Sequence, residues 1–408
     1  MVDAKGSRMS RNTPLNRVVT NDERRARLAR NHLLAHAERT DDPAAIADAL
    51  VALHSTDPST VYLSATARMR RPSLDAVSAA LYEDRTLVRH HGMRRTVWVY
   101  TQPVARDVHA ACTAAIATRE WAGLVAAAER AGIDRPDVWI ADLRDRVLAA
   151  LHAHGPMGAR ELGRAVPELT RKIPVGSGKY IVEAAAHTRI LQNLGFDATL
   201  VRTRPRAGWN SSEYTWAAMD DWLPGGLVGE DPVAARDALV ARYVRRFGPV
   251  TTADVAWWTG LTITAVKTAL AATGAVAVTL ADGTAAWLAP DDLDPPPPPE
   301  PWIALLPSLD PTAMGWKERS WYLGPHTTFP CALFDRNGNI GPTVWLDGRV
   351  VGAWSQRGDG TVAVGLLTEL TTADRRRVDR AAAELADLIA GARVTPRFPT
   401  PLPKELTA

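Results

Sequence analysis

Gly155-Pro156-Met157-Gly158-Ala159-Arg160-Glu161-Leu162 comes after a long helical pattern, Val138 to His152, and recurs 93 residues later as Gly248-Pro249-Val250-Thr251-Thr252-Ala253-Asp254-Val255. Each copy has Gly-Pro, four further residues, then an acid and an aliphatic. After the first copy the pattern is that of a helix from Tyr180 to Asn193 and then two strands, Ala198–Thr203 and Ser212–Trp216. The polar loop between these strands runs from Arg204 to Asn210 and places Trp209 at its tip. The second copy is preceded by an amphipathic helix over 235–247 and succeeded by a helix from Ala265 to Ala272, capped by Thr262 or Thr264. A hairpin of Val276–Leu280 with Thr284–Leu288 completes it. Helix, turn, helix, helix and β-hairpin is the order of a winged helix, so the duplication predicts two such units. The competing reading is two unrelated helical hairpins that share a Gly-Pro turn.

Outward from this repeat, residues 1–20 are polar and basic without periodicity, which predicts a mobile tail. Asn21 can cap a helix whose first turn holds Asp22 and Glu23, and a second helix is expected from Pro43 to Leu53. Asp57-Pro58 is a helix-start signal, because Asp accepts orphan amide bonds and Pro loses nothing at the first helical position. That third helix ends near Arg68; a short helix over Leu74–Leu81 and a strand around Thr96–Tyr100 come next. On the other side, Pro295–Pro299 predicts an extended spacer. Strands are then expected over 302–368, including Cys331–Phe334, with a final helix from Ala373 to Ala390 before a proline-rich end that stops regular structure. The expected fold is α+β, with units at 21–135, 136–230 and 231–294, the spacer at 295–299 and a β-rich region over 300–408.

The 408 residues are 46% hydrophobic and 23% charged, which excludes extensive disorder. Two distant cysteines, Cys112 and Cys331, exclude a disulfide scaffold and offer no zinc-ligand spacing. No apolar run is long enough to span a bilayer and the Met1 end has no apolar signal core, so a cytoplasmic protein is expected. The net charge of +3 conceals 42 arginines against six lysines. GC-rich coding explains such a bias without function, whereas arginine's planar donor fork also suits phosphate.

Several segments together resemble the AlkZ/YcaQ family of bacterial winged-helix proteins, several of which are DNA glycosylases acting on bulky N-alkylated bases. The carriers are Leu53-His54-Ser55-Thr56-Asp57-Pro58, Met93–Trp98, Gly248–Gly260, Leu305–Pro311, Gly341–Val344 and Asp347–Trp354. The likeness runs from about Asn21 to Ala390. It implies three tandem winged-helix domains around a DNA channel, then the β-rich region. Active members of the family carry Gln-x-Gln or Gln-x-Asp before Asp-Pro; here His54 and Thr56 stand in those positions.

An N7-alkylated purine already carries positive charge and leaves readily, so its hydrolysis needs a positioned water and stabilisation of a cationic sugar more than a strong acid. His54 is the candidate to accept a proton from that water, Thr56 to orient it, and Asp57 to add negative potential. The bland alternative makes Asp57 a helix cap and His54 and Thr56 turn residues. Arg68, Arg70, Arg71, Arg94, Arg95, Arg202, Arg204, Arg206 and Trp209 are candidate DNA contacts, the last four as a wing at a disrupted base step. His90-His91 lacks further metal ligands and reads as a packed pair. Gly176–Tyr180 departs from a phosphate loop at both its first glycine and its hydroxyl position.

The expectation is a monofunctional DNA glycosylase acting on duplex DNA, with no metal, organic or nucleotide cofactor and no membrane partner. No lysine adjoins the motif to support Schiff-base chemistry. A monomer associated with the nucleoid is expected. The alternatives are a catalytically silent winged-helix DNA-binding regulator and a protein-binding scaffold.

Overall fold

A computed structural model of the chain describes residues 17–176, 181–327 and 332–407. The described residues form a mixture of helices and sheets, the four larger sheets each containing three or four strands. Thr20, rather than Asn21, caps the first helix, Asn21–Asn31, its hydroxyl accepting from the Glu23 amide at 3.1 Å. Most of the expected tail lies outside the described residues, but its end is fixed: Val18–Val19 pairs in parallel with Thr279–Leu280. The second helix, Pro43–Ala49, is shorter than expected because Val51 turns the chain at φ 62°. Leu53–His54 then becomes a strand instead, paired with Trp98 and Val99 on Val97–Thr101. Leu87–His91 completes that sheet on the other side of Val97–Thr101.

The two repeats have matching elements. The first holds Pro136–His154, Ala159–Ala165, Ala186–Phe196 and the hairpin Leu200–Pro205 with Tyr214–Ala218. The second holds Pro232–Phe247, Thr252–Thr259, Ile263–Ala272 and the hairpin Val276–Leu280 with Ala285–Leu288. Their shared acid has one local task in both. Glu161 accepts from the Gly158 amide at 2.8 Å, and Asp254 accepts from the Thr251 amide at 2.9 Å, so each closes the N-terminus of its short helix. The helix expected from Tyr180 starts only at Ala186, because Val182–Ala185 pairs with Lys172–Val175 as a further hairpin. Residues 177–180, and with them most of the rejected phosphate-loop segment, lie outside the described residues.

After the prolines, Ile303–Leu306, Thr343–Leu346, Arg349–Gln356 and Val362–Leu366 form an antiparallel sheet in chain order. The helix Thr372–Leu388 lays Val378 and Ala382 against Leu305, Val351 and Trp354. The expected strand at 331–334 is not formed over its described part, where Phe334 only bridges Ile340 around the Gly338 turn. The proline-rich end does not stop structure. Val394 and Thr400 are buried, and Pro401–Glu405 is a short helix.

The segment that follows the strand Ile303–Leu306 locks the helix Pro58–Thr66, all nine residues of which are buried. Thr60 donates to the Ser308 carbonyl, and Ser64 donates to Asp310 at 2.6 Å. Arg68, expected to meet DNA, is fully buried here and pairs with Asp310 through both guanidinium nitrogens at 3.0 and 2.9 Å. Its remaining bonds go to the His32 and Ser64 carbonyls and the Thr312 hydroxyl, leaving nothing for a phosphate. Burial alone would raise the Asp310 carboxyl, but Arg68 holds it below its ordinary range. Removing one partner of a buried ion pair strands the other charge. Arg68→Met should therefore destabilise the protein by roughly 3 kcal/mol; a thermal midpoint equal to wild type would refute this structural role.

Candidate active site

Asp57 sits between two elements that hold it by different oxygens. Oδ1 caps the Pro58–Thr66 helix, accepting from the Ser59 amide at 3.1 Å and the Ser59 hydroxyl at 2.7 Å. Oδ2 accepts from the backbone amide of Arg397, 340 residues away in sequence, at 3.0 Å. Just before it, the Ser55 amide donates to the Val97 carbonyl, extending the strand pairing that begins at Leu53. The Ser55 hydroxyl accepts from Arg89 Nε at 2.8 Å. Arg89 is itself buried, stacks over Tyr214 at 4.4 Å and donates to the Tyr82 hydroxyl, so it ties the 53–57 segment to the first repeat's hairpin.

Ser55 and Thr56 line a cavity of about 580 Å³ between that segment and the hairpin. The Thr56 hydroxyl has no protein hydrogen bond among the described residues. Tyr214 and the largely buried Trp216 also line it, and Arg160 and Arg164, one helical turn apart on Ala159–Ala165, stand exposed at its edge. Five arginines line this space against two glutamates, so its field favours an anion. Among the described residues Arg202 has no carboxylate partner, and it stacks over Trp216 at 5.0 Å. Burial lowers its guanidinium to about 10, which leaves it charged at neutral pH. The Tyr214 hydroxyl is raised by the same burial. A cavity of about 380 Å³ beside Arg95 and Arg189 lies apart from this motif.

His54 does not line the cavity. It is 8% exposed, packs edge-on against Trp98 at 4.7 Å, and its Nδ1 accepts from the Thr56 amide at 3.4 Å. Burial, helped by the nearby Arg94 charge, pushes its pKa down to about 3. A base that weak, already accepting a backbone bond, is poorly suited to take a proton from water, and the ring is better described as support for Thr56.

A family model described as DNA glycosylase AlkZ-like matches residues 47–388. The chain belongs to this AlkZ-like family. Among solved structures, the Streptomyces sahachiroi DNA glycosylase AlkZ superposes with a TM-score of 0.66 at 16% identity, covering 92% of this chain and 98% of that one. No curated protein matches the sequence.

Within this family framework, the structure gathers Thr56, Arg202 and Arg206 at one cavity, and buried Asp57 follows Thr56 in the chain without lining it. Arg206 is held there by a hydrogen bond to Glu161. Arg204 turns away to pair with Glu83 and lies over Tyr82 at 4.9 Å. Trp209, expected at an exposed tip, instead packs half-buried on Tyr62 at 5.2 Å, because the loop folds back onto the Pro58–Thr66 helix and Asn210 donates to the Arg393 carbonyl. Arg70 and Arg71 are exposed at the far end of the Pro58–Thr66 helix, Arg71 paired with Asp41. Arg94 stacks over Trp257 at 4.5 Å, and Arg95 pairs with Glu120.

Ser55, Arg89, Arg160, Arg164, Tyr214, Trp216 and Arg397 also shape the site, although residue patterns alone do not single them out. The signals that could have found some of them are the i,i+4 spacing of Arg160 and Arg164 inside the first repeat and the alternation of Tyr214 and Trp216 along one strand. Nothing in the sequence near Arg397 marks it.

Proposed function

We propose that this protein is a monofunctional DNA glycosylase that hydrolyses the N-glycosidic bond of an N7-alkylated purine in duplex DNA. Its three helix-and-hairpin units, 21–135, 136–230 and 231–294, act as tandem winged helices that present the 53–57 segment to the duplex. The carrying observation is the cavity itself. It is large enough for an extruded nucleotide, is bordered by the Tyr214 ring, against which a flipped base can pack, and reaches Thr56. Thr56 orients the attacking water, and the Asp57 charge lowers the energy of the oxocarbenium-like sugar as the neutral base leaves. His54, buried and neutral, fixes the Thr56 backbone.

Incubating the protein with a duplex carrying N7-methylguanine or a bulkier N7 adduct, then heating or treating with alkali, should give strand breaks at the lesion. A second reading, a silent DNA-binding protein, is favoured by one observation: the motif's only imidazole is buried with a pKa near 3. Intact binding without breaks across several adducts would establish it.

The wing charges separate in this reading. Arg202→Ala should weaken duplex binding and reduce the dependence of log K on log salt by about one contact, whereas Arg204→Ala, whose charge is paired with Glu83, should leave that slope unchanged. Equal slopes for all three proteins would remove Arg202 from the contact surface.

A further inference from the structure

Arg397 lies beyond the 47–388 span of the family match, in a proline-rich segment, Thr395-Pro396-Arg397-Phe398-Pro399-Thr400, downstream of the last long helix. That segment is anchored at both ends. Upstream, the Val394 amide donates to Gln356 Oε1 at 2.8 Å and Gln356 donates back to the Ala392 carbonyl; downstream, Thr400 is fully buried and the Leu402 amide donates to the Ala332 carbonyl. Between these anchors the chain crosses the 53–57 segment. The Arg397 amide reaches Asp57 Oδ2 at 3.0 Å, its guanidinium reaches the Thr56 carbonyl at 3.3 Å, and the same side chain lines the cavity.

Resting on the glycosylase reading, we propose that Arg397 serves the reaction twice. Its backbone amide is a positioning group for Asp57, and its guanidinium binds the DNA phosphate beside the extruded nucleotide.

The two halves of the residue suit these tasks for different reasons. Oδ1 of Asp57 is committed to the helix cap, so the direction in which Oδ2 points is set by Arg397 alone among the described residues. An amide does this with an oriented dipole. It fixes the carboxylate without bringing a full positive charge onto it, and the negative potential toward the cavity persists. The guanidinium, by contrast, belongs to an exposed residue, and its one hydrogen bond among the described residues is to a neutral carbonyl. Its charge therefore remains available, in a cavity where it also feels the Arg202 charge. An arginine placed like this is relieved by a phosphate, which accepts two of its donors at once. Holding a phosphate next to the Thr56 carbonyl also keeps the scissile sugar over the motif.

Three variants of the whole 408-residue chain separate the halves. Arg397→Ala keeps the amide; it should raise KM for an N7-methylguanine duplex about tenfold, leave kcat within about threefold, and lower the salt slope of duplex binding by about one. Arg397→Lys should restore the slope but only part of KM, because an ammonium cannot grip two oxygens. Arg397→Pro removes the amide proton as well and should lower kcat by a further factor of about ten or more, with a thermal midpoint close to that of Arg397→Ala.

Unchanged KM and slope in Arg397→Ala would overturn the phosphate role. A kcat in Arg397→Pro equal to that of Arg397→Ala would overturn the positioning role, as would a collapse of its thermal midpoint that accounts for the lost rate. Wild-type protein that excises no adduct overturns the glycosylase reading and the positioning role with it. The salt slope needs no chemistry and still decides the phosphate role.

Discussion

Asp57→Asn should fold normally and lose excision of an N7-alkylated purine by a factor of about 10²–10³, the scale seen when one preorganised electrostatic group is removed from an active site. Asparagine caps helices as well as aspartate does, so the bonds from Ser59 to Oδ1 survive. What disappears is the charge, together with the acceptor facing Arg397, because an amide nitrogen there meets the Arg397 N–H donor to donor. Asp57→Ala should lose the same activity and, in addition, about 1 kcal/mol of stability through the missing cap. The pair of variants distinguishes a residue kept for its charge from one kept for its cap. Single-turnover excision and thermal midpoints are the measurements. If Asp57→Asn excised at the wild-type rate, the acid would be a cap only, and the catalytic part would fall to Thr56 alone.

The parts of this protein that were legible in its sequence are those written in local chemistry. The Gly155 and Gly248 repeats gave matching elements because each encodes its own cap, Glu161 or Asp254, three residues after the capped position. Asp57-Pro58 located the helix start to the residue for the same reason. Legibility failed where the partner is remote. Arg68 stands in the sequence beside Arg70 and Arg71 as one basic cluster, yet Asp310, 242 residues away, turns it into a structural ion pair while its neighbours stay on the surface. Trp209 looked like the tip of a wing, and Tyr62 makes it a packed ring. His54 carried the largest chemical expectation and was altered most by burial, which no residue spacing reveals. The cavity is of the same kind: Thr56, Arg160, Trp216 and Arg397 come from four separate segments.

Burial of histidines also predicts the protein's response to acid. His32, His54 and His91 are each pushed down to about 3 by burial, and His90 well below its ordinary value. Their environments explain why a proton is unwelcome. His32 is wedged against Phe247 and Trp316 with Arg68 close by, His91 faces Arg202, and His90 meets His109 nitrogen to nitrogen at 3.1 Å. In the unfolded chain the same rings titrate near 6.5. Between those two values the unfolded state binds more protons than the folded one, so stability rises with pH in that window and is lost as pH falls below 6.5. Each ring contributes about 1.4 kcal/mol per pH unit there, and four together approach the whole 5–15 kcal/mol margin of a typical domain within one or two units. The thermal midpoint should therefore be level above pH 7 and fall steeply between pH 6.5 and 5. A midpoint at pH 5 equal to that at pH 7.5 would mean that these rings are not held neutral by the fold. The same titration separates stability from catalysis. His54 is already neutral throughout this range, so excision rates corrected for the folded fraction should show no inflection near 6.5, although uncorrected rates fall with the fold. An inflection that survives the correction would return His54 to the role of proton acceptor.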